Sequence, residues 1–334
     1  MPFTPSYQHL LSTGELSARA RRLEQMLTPC RVCPLLCGID RLNGETARCH
    51  TGYLPVVSSY TPHFGEEPPL TGAGGVGNIF FGNCNLRCDY CQNHLISQNH
   101  ADEEQHEVTI SRLAGMMLEL ESEGCSSIGL VSPSHVVPQI VLALEQAARQ
   151  GLDIPLVYNT NAYDSLEALQ LLEGIVDIYL PDLKYSDPEM GMRYSHVPDY
   201  VRIARAAVGE MRRQVGPDLV MGEDALVKRG LIIRHLVLPN DIAGSRESLR
   251  WIKDELGVEA TLSVMAQYYP EHRGRTMPLL DRKIRESEYE RVLAYLEALG
   301  MENGWAQQYE SAEYYRPEFA RRERPFAGPA DNRE

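Results

Sequence analysis

Residues 78–94 read NIFFGNCNLRCDYCQNH, a short β-favouring run that breaks at Gly82 into a loop carrying Cys84, Cys88 and Cys91. The spacing is C-x3-C-x2-C, and the next cysteine is Cys125, in GCSSIGLV, where it reads as a small core residue. A strand that hands reactive side chains to the loop at its C-terminal end is the building unit of parallel α/β sheets, and ligands gather at those ends.

Working outward, the same unit repeats. β-rich runs occur at 78–82, 127–132, 154–159, 176–182, 231–238 and 260–266, with helical periodicity near 110–123, 136–150, 164–173, 187–214, 244–256 and 285–299. Strands alternating with helices predict right-handed βαβ units in a parallel sheet, as an open doubly wound sheet or a partial barrel. Ahead of this core, 6–27 reads as one helix, TPCRVCPLLCGIDRLNGETARCHTG as a turn-rich cysteine segment, and 60–78 as a Pro/Gly-rich loop. The expected division is residues 1–58 for the helix and four-cysteine segment, 59–300 for the barrel, and 301–334 for a C-terminal extension. Its end, RRERPFAGPADNRE, is expected to be disordered.

The 334 residues are 43% hydrophobic and 23% charged, enough to bury a sizeable core. A formal net charge of −14 speaks against non-specific binding to nucleic acid or anionic membranes. No apolar run reaches the roughly 20 residues needed to cross a bilayer, and the first residues lack a signal-peptide pattern. A cytoplasmic location is expected, where eight cysteines are metal ligands or reactive thiols rather than disulfides.

Three thiolates in one loop fit two kinds of centre. With His94 added, Cys84, Cys88 and Cys91 form a Cys3His zinc set. Without it, they ligate three irons of a 4Fe–4S cluster and leave the fourth iron open. A position at the ligand-binding end of the sheet favours the cluster, because a closed zinc knuckle would waste that end.

The motif, with Tyr90 just before its last cysteine, resembles the signature of radical S-adenosylmethionine (SAM) enzymes. GNIFFGNCNLRCDYCQNHLISQ, HFGEEPPLTG, VYNTNAYDSLEAL, GIVDIYLPDLKYSD and IIRHLVLPN resemble homologues of pyruvate formate-lyase activating enzyme with an extra N-terminal cysteine motif. The likeness runs from about residue 8 to 270 and implies a TIM-like partial (β/α)6 barrel. It also implies a 4Fe–4S cluster, SAM chelated to the open iron, and reductive cleavage of SAM to a 5′-deoxyadenosyl radical that abstracts hydrogen.

The resemblance places Tyr90 and Gln92 near the adenine, Asn159 and Thr160 near the ribose and carboxylate, and Asp182, Lys184 and Arg234 near the carboxylate. Where the family carries a Gly-Gly-Glu segment this chain has SPSH, so Ser132, Ser134 and His135 are the replacement candidates. The plain readings are a core or helix-capping histidine at 135 and a surface pair at Asp182 and Lys184. Arg234 sits in the apolar run LIIRHLVL, where a charge needs a partner. The chemistry also implies a flavodoxin- or ferredoxin-like electron donor.

Cys30, Cys33, Cys37 and Cys49 make a complete four-thiolate set, for zinc or a second iron–sulfur cluster; the loop-like surroundings favour zinc. GAGGVG (72–77) precedes a strand rather than following one, which is wrong for a dinucleotide fold, and its glycines are expected beside the cluster or SAM. His63, Glu66 and Glu67 suggest a lid or substrate-side segment, and Gln267 and His272 an open-side lining. Three functions remain: radical modification of a protein or small molecule, activation of a glycyl-radical enzyme, and a non-catalytic iron–sulfur or zinc protein.

Overall fold

A computed structural model describes residues 3–313, 316–319, 321, 322, 325 and 326. Among these described residues nine strands form one sheet: β1 (Val57–His63), β2 (Val76–Phe81), β3 (Ile128–Val131), β4 (Leu156–Thr160), β5 (Ile178–Pro181), β6 (Val220–Met221), β7 (Val227–Leu236), β8 (Thr261–Met265) and β9 (Gly304–Ala306). The order is β1-β2-β3-β4-β5-β7-β8-β9, with β6 paired to β7 off the path. From β2 to β9 every step along the path is parallel; β1 closes one edge antiparallel to β2. The architecture is the α/β partial barrel expected.

Alternation along the strands sorts two layers. Ile79, Phe81, Leu130, Tyr158, Tyr179, Ile233, Leu262 and Val264 face outward into the main core. The helices Ile110–Ser122, Val137–Arg149 and Tyr200–Val215 bury their apolar faces in that same core. The intervening residues face the barrel axis. Val76, Val157, Ile178, Leu180, Val227 and Ile232, with Leu70, plug its lower part. One pleat higher the inward residues turn polar: Asn78, Asn159, Asp182, Arg234 and Ser263. Apolar below and polar above is what leaves a cavity at the C-terminal ends of the strands.

Several sequence expectations are corrected. The helix expected over 6–27 is two, Ser6–Thr13 and Glu15–Glu24, split at Gly14, whose φ of 79° suits glycine. The stretch 187–214 likewise divides into Pro188–Ser195 and Tyr200–Val215, with His196 left-handed at φ 59°. The loop expected over 60–78 contains most of β1; its Pro62 is tolerated because β1 is an edge strand. β1 straddles the boundary drawn at residue 58, and β9 brings residues beyond 300 into the sheet. The glycines of 72–77 do not border the cavity. Gly74 presses on Gly124, and a Cβ on Gly77 would stand 2.9 Å from Leu120 Cβ, so their smallness serves strand–helix packing.

Of the tail, Arg322 pairs with buried Glu103 at 2.8 Å, and Phe319 packs edge-on to Phe80 with ring centres 5.5 Å apart. The rest of the segment expected to be disordered, residues 323, 324 and 327–334, lies outside the described residues.

Candidate functional site

Directly after β2 the chain enters the cysteine loop, which many contacts pin. Asn83, at φ 65°, takes its N–H to the Ile96 carbonyl and donates from Nδ2 to the His50 carbonyl at 3.2 Å. Asn85 Nδ2 donates to the Tyr163 carbonyl at 2.8 Å, and Gln98 Nε2 to the Cys88 carbonyl at 2.9 Å. The Asp89 N–H donates to the Tyr194 carbonyl, and the Asp89 carbonyl accepts from Gly274.

Cys84, Cys88 and Cys91 border one cavity of about 600 Å³, within the size range of cofactor sites. Each sulfur meets a polar group from a different segment. Asn161 Nδ2 lies 3.5 Å from Cys84 Sγ, Ser195 Oγ 3.0 Å from Cys88 Sγ, and Ser97 Oγ 3.2 Å from Cys91 Sγ. Burial and then the neighbouring Cys88 push the Cys84 thiol up to about 12; burial raises Cys88 to about 11, with Lys184 opposing, and raises Cys91 as well. Such thiols stay protonated until a metal takes the proton's place.

The donor set fits a cluster: three sulfurs lining one cavity, each with its own hydrogen-bond partner, beside a space large enough for a second ligand. His94 is not drawn to them. Its Nδ1 lies 3.2 Å from the Cys91 carbonyl and its ring stacks on His272. Among the described residues no three His, Cys, Asp or Glu groups close on a single metal ion.

Most of the other candidates surround the same cavity: Tyr90, Gln92, Ser132, Asn159, Thr160, Asp182, Lys184 and Arg234. Tyr90 is held edge-on against Tyr185 and Tyr268, and Gln92 Nε2 donates to the Gln267 carbonyl at 2.9 Å. Ser132 is left-handed at φ 58°. The Thr160 hydroxyl is committed, donating to Asp164 at 2.6 Å. Lys184 Nζ lies 2.8 Å from Asp182 Oδ2; burial works against its charge, but Asp182 and then Cys88 hold its pKa above the ordinary value.

Ser134 and His135 do not reach the cavity lining. Ser134 Oγ is 3.0 Å from Thr160 Oγ1, and buried His135 donates from Nε2 to the Gly82 carbonyl at 3.1 Å, anchoring the start of the cysteine loop. Burial, then nearby Arg41, lowers the His135 pKa to about 3, so the ring is neutral.

Arg234 carries the main surprise. Its guanidinium is held by Glu67, with Nε to Oε1 at 2.7 Å and Nη2 to Oε2 at 2.6 Å, and by Glu66, which also accepts from Asn78 Nδ2 at 2.7 Å. Burial opposes its charge, yet Glu67 and then Glu66 raise its pKa well above normal. Gly129 on β3 makes this possible: a Cβ there would collide with the Asn78 side chain. The sequence signals for the partnership were the inward charge on an apolar strand and the paired acids of HFGEEPPL, which nothing in linear order connects.

The C-terminal segment also borders the cavity, through Gln307, Gln308, Ser311, Pro317 and Phe326. Gln307 Nε2 donates to Gln267 Oε1 at 2.8 Å, and Phe326 packs on His63 with ring centres 4.4 Å apart. Sequence reasoning assigned His63 and Gln267 to this side of the barrel but none of the five C-terminal residues.

The four N-terminal cysteines lie near one another in a segment of their own. Cys30 N–H donates to the Ile39 carbonyl and its carbonyl accepts from Gly38, which brings Cys37 back beside Cys30. Burial raises the Cys33 thiol, and Cys49, Cys30 and Cys37 stand near enough to raise it further. Arg41, 1% exposed, docks the segment by donating to the Gly52 carbonyl at 3.0 and 2.9 Å and to the His135 carbonyl at 2.8 Å.

An open parallel barrel with three thiols and a cation around a cavity at its strand ends is an α/β domain with a ligand-sized site where such folds bind their ligands. Residues 78–216 match the family model of the radical SAM superfamily, whose members generally bind a 4Fe–4S cluster and SAM. The chain is also similar to an uncharacterised protein of Methanocaldococcus jannaschii, 29% identical over 282 residues that cover 82% of this chain and 75% of that protein. No helix among the described residues is long and apolar enough to cross a membrane.

Proposed function

We propose that this chain is a radical SAM enzyme in which Cys84, Cys88 and Cys91 hold a 4Fe–4S cluster and the cavity above them takes SAM. The observation that carries the reading is the cavity itself: three sulfurs with separate donors share it with Lys184 and Asn159 at the strand ends. A cluster held by these cysteines would pass one electron from the donor protein to the SAM sulfonium, breaking the S–C5′ bond to give methionine and a 5′-deoxyadenosyl radical able to abstract hydrogen from substrate. The chain's own part is to hold and shield. Lys184 offers positive charge to a carboxylate, Asn159 and Ser132 offer polar contacts, Tyr90 gives an apolar wall, and the C-terminal segment narrows access to water.

The substrate we propose is an unidentified protein or small molecule, with activation of a glycyl-radical enzyme as the alternative within the same chemistry. The resemblance to homologues of pyruvate formate-lyase activating enzyme with an added cysteine motif supports both. In the N-terminal set we favour zinc, since the segment has little regular structure of its own and a staple suits it. A second cluster is the other occupant. A flavodoxin- or ferredoxin-like donor in the cytoplasm completes the proposal.

The test is anaerobic purification and reconstitution, counts of iron, sulfide and zinc, and a SAM-cleavage assay under strong reductant. 5′-Deoxyadenosine should form in the native protein and vanish in the Cys84→Ala/Cys88→Ala/Cys91→Ala variant. Zinc in both cysteine sets with no cleavage would overturn the proposal and leave a metal-stapled, non-catalytic protein.

A further inference from the structure

Next to the cysteine loop lies a second cavity of about 510 Å³ that shares no lining residue with the first. Arg48, Arg87 and Arg273 line it, together with His100, His196 and His272. In a chain of net charge −14, three guanidinium groups and three imidazoles around one space is a marked concentration of donors. It lies between the two cysteine sets. Arg48 precedes Cys49, Arg87 precedes Cys88, and Arg87 Nη2 donates to the Arg48 carbonyl at 2.8 Å.

No described carboxylate lines the cavity, and those beside it are already spent. Asp89 takes His196 at 3.1 Å and Arg273 at 3.2 Å, while Glu271 is paired with Arg275. Among the described residues no carboxylate makes an ion pair with Arg48 or Arg87. Arg48 Nε and His272 Nε2 are buried atoms without a hydrogen-bond partner. Unpaired donors and mutually repelling cations in one concave space are costly unless an anion joins them. A phosphate group suits them better than a carboxylate: it carries more charge and more acceptor oxygens, and guanidinium forks grip it in pairs.

We propose that this cavity is a binding site for a phosphate group, either inorganic phosphate or the phosphoryl end of a small molecule, held by Arg48, Arg87 and Arg273. A volume near 510 Å³ leaves room for more than the bare ion. Binding there would tie Arg48 of the N-terminal segment to Arg87 of the cysteine loop. The site stands on residues other than those of the SAM cavity and does not depend on SAM cleavage.

The experiment is calorimetric titration of the full chain with inorganic phosphate, glycerol 3-phosphate and glycerol, at ionic strength held constant with sodium chloride. One saturable site per chain is expected for a phosphate-bearing probe and none for glycerol. Arg273→Gln, whose side chain is 62% exposed and not needed for packing, should weaken binding at least tenfold, and Arg48→Gln should do the same. Arg246→Gln, stacked on Tyr295 elsewhere, should leave it unchanged. Tighter binding of glycerol 3-phosphate than of phosphate would identify a phosphorylated molecule as the ligand, and equal binding the free ion. Absence of saturable binding, or equal weakening by Arg246→Gln, overturns the site. So does an acidic redox protein that binds through Arg48 and Arg273 while phosphate does not; the cavity would then be a docking surface.

Discussion

Two carboxylates against one guanidinium leave Glu66, Arg234 and Glu67 with one negative charge in excess, at side-chain exposures of 7%, 13% and 5%. Arginine here neutralises acids inside the barrel. Replacing it by Met strands two buried carboxylates, which should cost about 3–5 kcal/mol. Combining Arg234→Met with Glu66→Gln and Glu67→Gln should restore most of that, since no charge is then left unpaired. Urea unfolding at pH 7 reads both variants; an Arg234→Met protein within about 1 kcal/mol of native would mean that water screens the group.

His135 makes a second prediction at this scale. Its folded-state pKa is lowered from 6.5 to about 3, so below pH 6.5 the unfolded chain takes up a proton that the native protein refuses. Native stability therefore falls as pH drops from 6.5 toward 3. His135→Gln, which keeps a donor for the Gly82 carbonyl, should flatten that slope by up to about 1.4 kcal/mol per pH unit. An unchanged slope in urea titrations between pH 6.5 and 4.5 would count against a buried neutral ring.

At the scale of elements, the cysteine loop is positioned by three pieces of chain that arrive separately. Ser97 comes from the short helix His94–Ser97, Asn161 from the end of β4, and Ser195 from the last turn of Pro188–Ser195. Hydrogen bonds to cluster sulfurs tune the reduction potential. With the proposed cluster in place, Ser195→Ala should therefore keep its iron and sulfide but shift the cluster to a lower potential and slow SAM cleavage about tenfold. Potentiometric titration followed by electron paramagnetic resonance measures the shift; an unmoved potential would reduce Ser195 to a packing role with Tyr185, whose hydroxyl is 2.8 Å away.

The six central strands were legible because each is a compact apolar run between turn residues. β1 was not, since Ser58, Ser59 and Pro62 give an edge strand the composition of a loop, and neither was β9, three residues long. Helix breaks at Gly14 and His196 were missed for a related reason: apolar periodicity continues across a single left-handed residue. The cysteines of the cavity were readable from motif spacing, and its lysine and aromatic positions from the family resemblance that those motifs carry. The Arg234 partners were not, because an ion pair spanning 167 residues leaves no local trace.

The whole molecule couples its two cysteine sets through backbone contacts. Residues 30–50 contain only the 3-10 turn Arg41–Asn43 and an isolated bridge from Leu27 to Cys30, so their order depends on Arg41 and on whatever the four thiols bind. The same segment supports the catalytic side, because the His50 carbonyl accepts from Asn83 at the head of the cysteine loop, and the Arg41 guanidinium grips the His135 carbonyl. On the proposal that these four thiols hold a metal, losing it should loosen residues 30–50 first and the loop at 83–91 second. In Cys33→Ser/Cys49→Ser, hydrogen exchange should rise strongly over 30–50 and more modestly over 83–91, while β4 and β5 stay protected. Iron should then leave the Cys84 set faster under a chelator than in native protein. If exchange over 83–91 and the rate of iron loss both match native values, the N-terminal set is a staple for its own segment alone, and the contacts at Asn83 and His135 transmit nothing to the barrel.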